Sequence, residues 1–268
     1  MITVANDLGS KCDLLRSLHR PGDPLVLPNA WDAATARAVA AAGFPAVATT
    51  SAAVAAALGY DDHEGAPAGE MLAAAARITR SVGVPVTVDA EAGYGMTAAE
   101  LAAELKGTGA AGCNLEDSDH AAQALRDPVQ QAAWLRDVRQ AASDQGYRLV
   151  INARIDVFVP SLVSGSGGPT QGELMPEALR RAQAYLDASA DCVYPIGLWE
   201  AGAVAAFVSK CPGPVNVLRI PQAPSIAELA ELGVARVSYA GLLHRGVMEQ
   251  LSQVLASLAE QREHLRVG

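Results

Sequence analysis

Three acids in this chain sit where they could share one cation. Asp89 and Glu91 lie two residues apart in VDAEAGYG, and Glu116 follows an apolar run in NLEDSDH. Asn114, Asp117 and His120 flank Glu116, and NARIDVF contributes Asn152, Arg154 and Asp156. Ser51 follows another apolar run in ATTSAA. Three carboxylates at one mouth repel one another and rise in pKa unless a cation neutralises them. An all-oxygen set with no histidine pair suits Mg2+, or Mn2+, rather than Zn2+. Arg154 has the planar fork that grips a carboxylate or phosphonate in bidentate fashion. His120 is the loop residue suited to proton transfer near neutral pH, and it reads equally well as a loop residue bonding a neighbour. Each acid alone reads equally well as a helix cap or a rim ion pair. The constellation on three consecutive runs is what favours a site.

The elements that must position these residues are legible as alternation. Short apolar runs fall at 24–28, 46–50, 86–89, 112–115, 149–153, 192–194, 215–218 and 236–238. They are continuous rather than alternating, as in strands covered on both faces. Helical patterns separate them at 35–42, 69–81, 97–106, 128–145, 176–188, 203–210 and 225–232. Thr97 with Glu100 fits a capping box. Repeated βα alternation implies a parallel sheet with right-handed crossovers, and eight runs favour a closed (β/α)8 barrel. Active sites of such barrels lie at the C-terminal ends of the strands, where the polar residues above fall. Asp89 and Glu91 both face inward if their strand persists that far. The stretch 164–172, SGSGGPTQG, reads as an active-site loop after the fifth strand. A last helical pattern over 242–265 either completes the barrel or packs on another subunit.

Length and composition agree. The 268 residues, half of them hydrophobic, suit a single barrel domain over 1–268 with a sizeable core. A net charge of −9 without a basic run argues against nucleic acid but admits a small anionic substrate held by a metal and a few arginines. Cys12, Cys113, Cys192 and Cys211 have no CxxC spacing, and Cys113 and Cys192 are expected to be small buried hydrophobes. His19, His63, His244 and His264 lack metal-ligand spacing and are expected at the surface. Trp31 and Asp32, after the first strand, are candidates to line the pocket. The N-terminus has no signal-peptide pattern, and no apolar stretch is long enough for a membrane span, so a cytoplasmic enzyme is expected.

Taken in order, LPNAWDAATAR, ATTSAAVAAALGY, VPVTVDAEAGYG, GCNLEDSDH, LVINARIDVF, PVNVL and ELGVARVS resemble the isocitrate lyase/phosphoenolpyruvate mutase superfamily, especially its small bacterial phosphonomutase-like branch. The resemblance spans nearly the whole chain. It implies a modified (β/α)8 barrel whose C-terminal helix is often exchanged in homodimers or homotetramers, with Mg2+ and oxo-acid or enol substrates. Asp89 matches the direct metal ligand, and Glu91 and Glu116 match acids holding the metal or its waters. Glu91 replaces the commoner Asp. Ser51 and the backbone of Ala52 match the segment that binds the substrate carboxylate and oxo oxygen, and Ala52 stands where many relatives have Gly. Asp62, or its neighbour Asp61, matches the acid after LGY. Arg154, Asn216 and Arg245 match substrate contacts. The family's lyases carry Lys-Lys-Cys-Gly-His after strand four, and its mutases a Lys and an Asn. This chain reads SDHAAQALRDP there, and Ile196 replaces a Glu of the methylisocitrate enzymes. The expected activity is thus a Mg2+-dependent lyase cleaving or forming a C–C bond beside a 2-oxo acid. A P–C bond enzyme, mutase or hydrolase, and a non-catalytic metabolite binder are the alternatives.

Overall fold

The computed structural model describes residues 7–160 and 168–267. Residues 164–167 of the glycine-rich loop therefore lie outside the described residues. Eleven strands lie among the described residues: β1 (Leu25–Leu27), β2 (Asn29–Ala30), β3 (Val47–Thr49), β4 (Val86–Asp89), β5 (Gly112–Glu116), β6 (Ser118–Asp119), β7 (Ala124–Leu125), β8 (Val150–Ile155), β9 (Cys192–Pro195), β10 (Asn216–Leu218) and β11 (Arg236–Ser238). One parallel sheet runs β2-β3-β4-β5-β8-β9 and another runs β1-β11-β10. A parallel bridge between Val193 and Val215 joins them on one side. On the other side β1 and β2 are one strand interrupted at Pro28, which has no N–H to give to a ladder. Eight strand positions thus close into a ring. The expected barrel strands all form.

Helices follow the strands and cover the outside of the ring. Most begin at chemical stops legible in the sequence. Thr97 and Glu100 cap Ala98–Thr108 reciprocally, and Thr170 and Glu173 do the same for Gln171–Asp187. That second cap starts the helix five residues before the expected 176, because Pro176 is tolerated inside it. Asp32 forms the capping box of Ala33–Ala41 with Thr35, so it is a helix cap rather than the pocket residue expected. Two helices, Leu8–Ser17 and Ser51–Leu58, were not among those expected. Five of the eight residues of the latter are alanine, without the amphipathic period that signals a helix.

The barrel wall is apolar, with Val86, Val88, Leu115, Ile151, Val193, Val217 and Val237 at most 4% exposed. Its interior is unusually polar at one level. Arg236, fully buried, donates from Nη2 to Asn114 Oδ1 across 3.1 Å, and Asn152 Nδ2 donates to the same oxygen at 2.8 Å. Asn114 and Asn152 are in register with Asp89, so this layer lies at the level of the carboxylates.

The cysteines are free, with Cys113 and Cys192 buried as expected. His19 corrects an expectation: it is buried rather than superficial, and its Nδ1 meets the Leu15 carbonyl at 2.8 Å. Burial, with Arg236 adding to it, pushes its imidazole down to about 4 from 6.5. The unfolded chain therefore takes up this proton first as pH falls. The His19 contribution is intact above pH 6.5 and lost progressively toward pH 4, on the order of 3 kcal/mol in all. His19→Gln is expected to flatten the fall in thermal stability across that window, measured by calorimetry.

Candidate active site

The polar residues gather at the C-terminal ends of β3, β4, β5 and β8. Asp89 is the last residue of β4, and its backbone N–H donates to Thr49 Oγ1 at 2.8 Å. Its Oδ2 accepts the N–H of Ser51 at 3.0 Å. Ser51 opens the helix Ser51–Leu58, whose cap residue Thr50 gives no side-chain bond. The first amides of that helix, including Ala52, lack intrahelical partners and carry the positive end of the helix dipole toward Asp89. Asp89 Oδ1 is buried and has no partner among the described residues.

Glu91 does not continue the strand, as the alternation reading required. β4 ends at Asp89, and Glu91 sits at φ +47, a left-handed conformation that turns the chain. The side chain is nonetheless buried, and its Oε1 accepts the Glu64 N–H at 2.6 Å. Burial first, then the charges of Asp89, Asp62 and Glu116, push its carboxyl up to about 7 against the pull of the Glu64 amide. The sequence marks the turn by Gly93 at φ +90, where a Cβ would meet the Trp134 ring at 2.7 Å.

Glu116, at the end of β5, is buried between two partners, His120 Nε2 and Arg154 Nη1. Burial raises its carboxyl, and Arg154 and His120 oppose that rise. The Glu116 bond raises the His120 imidazole above its usual value, against a smaller effect of burial. Arg154 holds Asp156 side-on, with Nε to Oδ1 at 2.7 Å and Nη2 to Oδ2 at 2.8 Å. Asp156 also takes the Ser118 hydroxyl at 2.6 Å. Behind it, Asp117 accepts the Asp156 N–H at 2.9 Å, Arg181 Nη1 at 2.8 Å and the Tyr185 hydroxyl at 2.7 Å. This support was missed in the sequence, because Arg181 and Tyr185 come from the helix Gln171–Asp187 and no local pattern ties them to Asp117.

The remaining expected residues divide. Asp62, half-buried with a buried Oδ1 that has no partner among the described residues, is close enough to raise Glu91, whereas Asp61 is exposed. Asn216 is buried and takes the Ser238 hydroxyl at 3.2 Å, leaving Nδ2 without a partner among the described residues. Trp31 packs edge-on against His244, ring centroids 5.0 Å apart, so its ring meets the last helix. Arg245 is exposed and lines a groove with Trp199, Ile220 and Gln222. It does not line the cavity of about 510 Å3 beside His120, Ser118, Arg154 and Asp156. His63 does line that cavity, with its ring 5.0 Å from His120. The side chain of His264 lies outside the described residues.

Among the described residues, no three His, Cys, Asp or Glu side chains converge closely enough to cage a metal ion. The arrangement fits Mg2+ all the same. That ion keeps several waters and needs only one or two protein carboxylates. Asp89 presents a free buried oxygen, and the other acids stand behind it.

The fold is that of a parallel (β/α)8 barrel with a cluster of carboxylates at its C-terminal mouth. The family model for phosphoenolpyruvate phosphomutase matches residues 15–259. The chain belongs to the phosphoenolpyruvate mutase/isocitrate lyase superfamily. It is 30% identical to the "probable 2-methylisocitrate lyase 2" of Corynebacterium glutamicum, over 87% of this chain and 76% of that one. A crystal structure of a "putative phosphonomutase" from Burkholderia cenocepacia J2315 is 42% identical, with a TM-score of 0.86 over 92% of this chain and 99% of that one. A phosphonopyruvate hydrolase solved with oxalate and Mg2+ shares the fold at 22% identity, with a TM-score of 0.80 over 94% of this chain and 87% of that one. The superfamily contains both C–C lyases and P–C bond enzymes. Among the described residues no helix is long and apolar enough to cross a membrane.

Proposed function

We propose that the protein is a Mg2+-dependent lyase that cleaves, or forms, a C–C bond beside a 2-oxo acid through a stabilised enolate. The observation that carries this reading is Asp89, with one oxygen on the Ser51 amide and the other buried and unpartnered. When bound, Mg2+ or Mn2+ supplies Lewis acidity toward a carboxylate and an adjacent oxo oxygen. Asp89 would hold the ion, with Glu91 and Glu116 behind it as acids for its waters. The Ser51 N–H is held by Asp89, so the Ala52 amide and the Ser51 hydroxyl would face developing negative charge at this helix N-terminus, where a well-placed donor contributes roughly 3 kcal/mol. Arg154 still has one N–H on each Nη with which to orient the substrate. Asp62 and His120 are the groups that would hold or move protons, and Asn216 supplies a free amide donor. A Mg2+-dependent turnover screen of C3–C6 oxo and hydroxy acids and phosphonates, read by mass spectrometry, tests the reading. Cleavage to pyruvate or oxalate supports it, and phosphate release from phosphonopyruvate alone replaces it with the P–C alternative. That alternative draws support from the 42% identity to the Burkholderia protein.

The same reading includes a homodimer or homotetramer joined through the last helix, Leu242–Val267. Val247, Leu251, Val254 and Leu258 are each at least 44% exposed and repeat at four- and three-residue steps. Such a stripe is the seam of a helix that packs on another helix. Leu251→Glu with Leu258→Glu is expected to reduce the assembly to monomers, measured by light scattering after gel filtration.

A further inference from the structure

We propose that the cavity beside His120 receives an uncharged, alkyl-bearing tail, so that the substrate is a 4-hydroxy-2-oxo acid cleaved by a retro-aldol step. The inference rests on the lyase reading above and names its substrate class.

One side of this cavity is apolar: Ala124 and Leu125 from the β6–β7 hairpin, with Val157, Val159 and Pro160 after β8. The other side has no surplus positive charge. Arg154, its only arginine or lysine among the described residues, has Nε and Nη2 on Asp156 and Nη1 on Glu116. Asp119 and Asp156 line the same space, and Glu116 stands behind it. Those three carboxylates balance Arg154 and both imidazoles even when His63 and His120 are protonated. Glu64 and Glu91 add further negative field at His120. Arg245 faces a different groove. A second carboxylate or a phosphonate dianion would lose water here with no free cation to replace it, which is costly. An alkyl tail gains by leaving water.

The chemistry follows from that neutrality. If the bonding pair stays with the pyruvate-like unit, an uncharged partner must depart as a neutral carbonyl. The C3–C4 bond breaks and its pair remains on the enolate. C4 becomes an aldehyde or ketone carbon, and the C4 hydroxyl proton passes to an imidazole. The same proton returns to C3, giving pyruvate. His63 is placed for this role. It lines the cavity and meets His120, whereas His120 is held by Glu116. His63 and Glu64 lie at φ +65 and +59, an unfavourable pair for non-glycine residues. That turn is locked where Glu64 donates its N–H to Glu91 and accepts the Tyr94 N–H at 2.6 Å.

The test compares 4-hydroxy-2-oxopentanoate and 4-hydroxy-2-oxoheptanoate with oxaloacetate and phosphonopyruvate, using the Mg2+-loaded protein and following products by NMR. The hydroxy acids are expected to react with kcat/KM at least about a hundredfold higher. Leu125→Lys, at a partly exposed position, is expected to lower that preference about tenfold by placing a cation on the apolar wall. His63→Gln is expected to slow pyruvate release about a hundredfold while calorimetric affinity for oxalate with Mg2+ is unchanged. Equal or better turnover of oxaloacetate or phosphonopyruvate overturns the inference. So does no pyruvate from either hydroxy acid by protein that binds oxalate with Mg2+. Absence of Mg2+-dependent oxalate binding overturns the lyase reading itself.

Discussion

Asp89→Asn is expected to weaken Mg2+ binding by more than about a hundredfold, beyond what loss of an outer-shell partner costs. The amide is nearly isosteric, and its oxygen can still accept the Ser51 N–H that Asp89 Oδ2 takes at 3.0 Å. What disappears is the charge on the unpartnered Oδ1, the feature that fits a cation. The same change removes a negative neighbour of Glu91, whose carboxyl is raised partly by Asp89. Metal-free protein should therefore melt higher in the variant than in the wild type, while the wild type alone gains from added Mg2+. Calorimetric titration and paired melting curves read both effects. A variant that binds Mg2+ normally would remove Asp89 from the metal assignment.

Arg181→Met is expected to cost about 3–5 kcal/mol of stability, the usual penalty for leaving a buried charge without its partner. Asp117 is completely buried, and burial already raises its carboxyl. Arg181 is the cation that meets its Oδ2, and the Tyr185 hydroxyl shares that oxygen. Asp117 also holds the Asp156 amide, and Asp156 holds the Arg154 guanidinium. Loss of Arg181 should therefore loosen Arg154 as well as the fold. Urea unfolding of Arg181→Met, alone and with Asp117→Asn, checks the cause. The second change removes the stranded charge and should recover much of the loss.

The barrel was readable because its strands are short apolar runs and several of its helices start at caps. β4 and β11 fall where the runs place them, and β5 and β8 extend far enough to include Glu116 and Arg154. Strand ends also marked Asp89, because a carboxylate after VTV must leave the core. The rest required contacts. Glu91 faces the site through a left-handed turn, not through strand alternation. His63 is exposed, as expected, but its place on the cavity was not legible because its partner, His120, lies on a different loop. His19 is buried at a helix end, where one-residue context carries no burial signal. Asn216 and Arg245 came from resemblance alone, and the structure sets them apart, one in the barrel wall and the other on the last helix.

In the proposed function, Asp89 and its surroundings stabilise an enolate next to a carboxylate. Proton exchange at C3 of pyruvate in D2O, followed by NMR, reads that ability without knowledge of the natural substrate. The methyl proton signal is expected to be lost only when protein and Mg2+ are both present, and to persist with Asp89→Asn. Exchange that proceeds equally without Mg2+, or equally in Asp89→Asn, would contradict it.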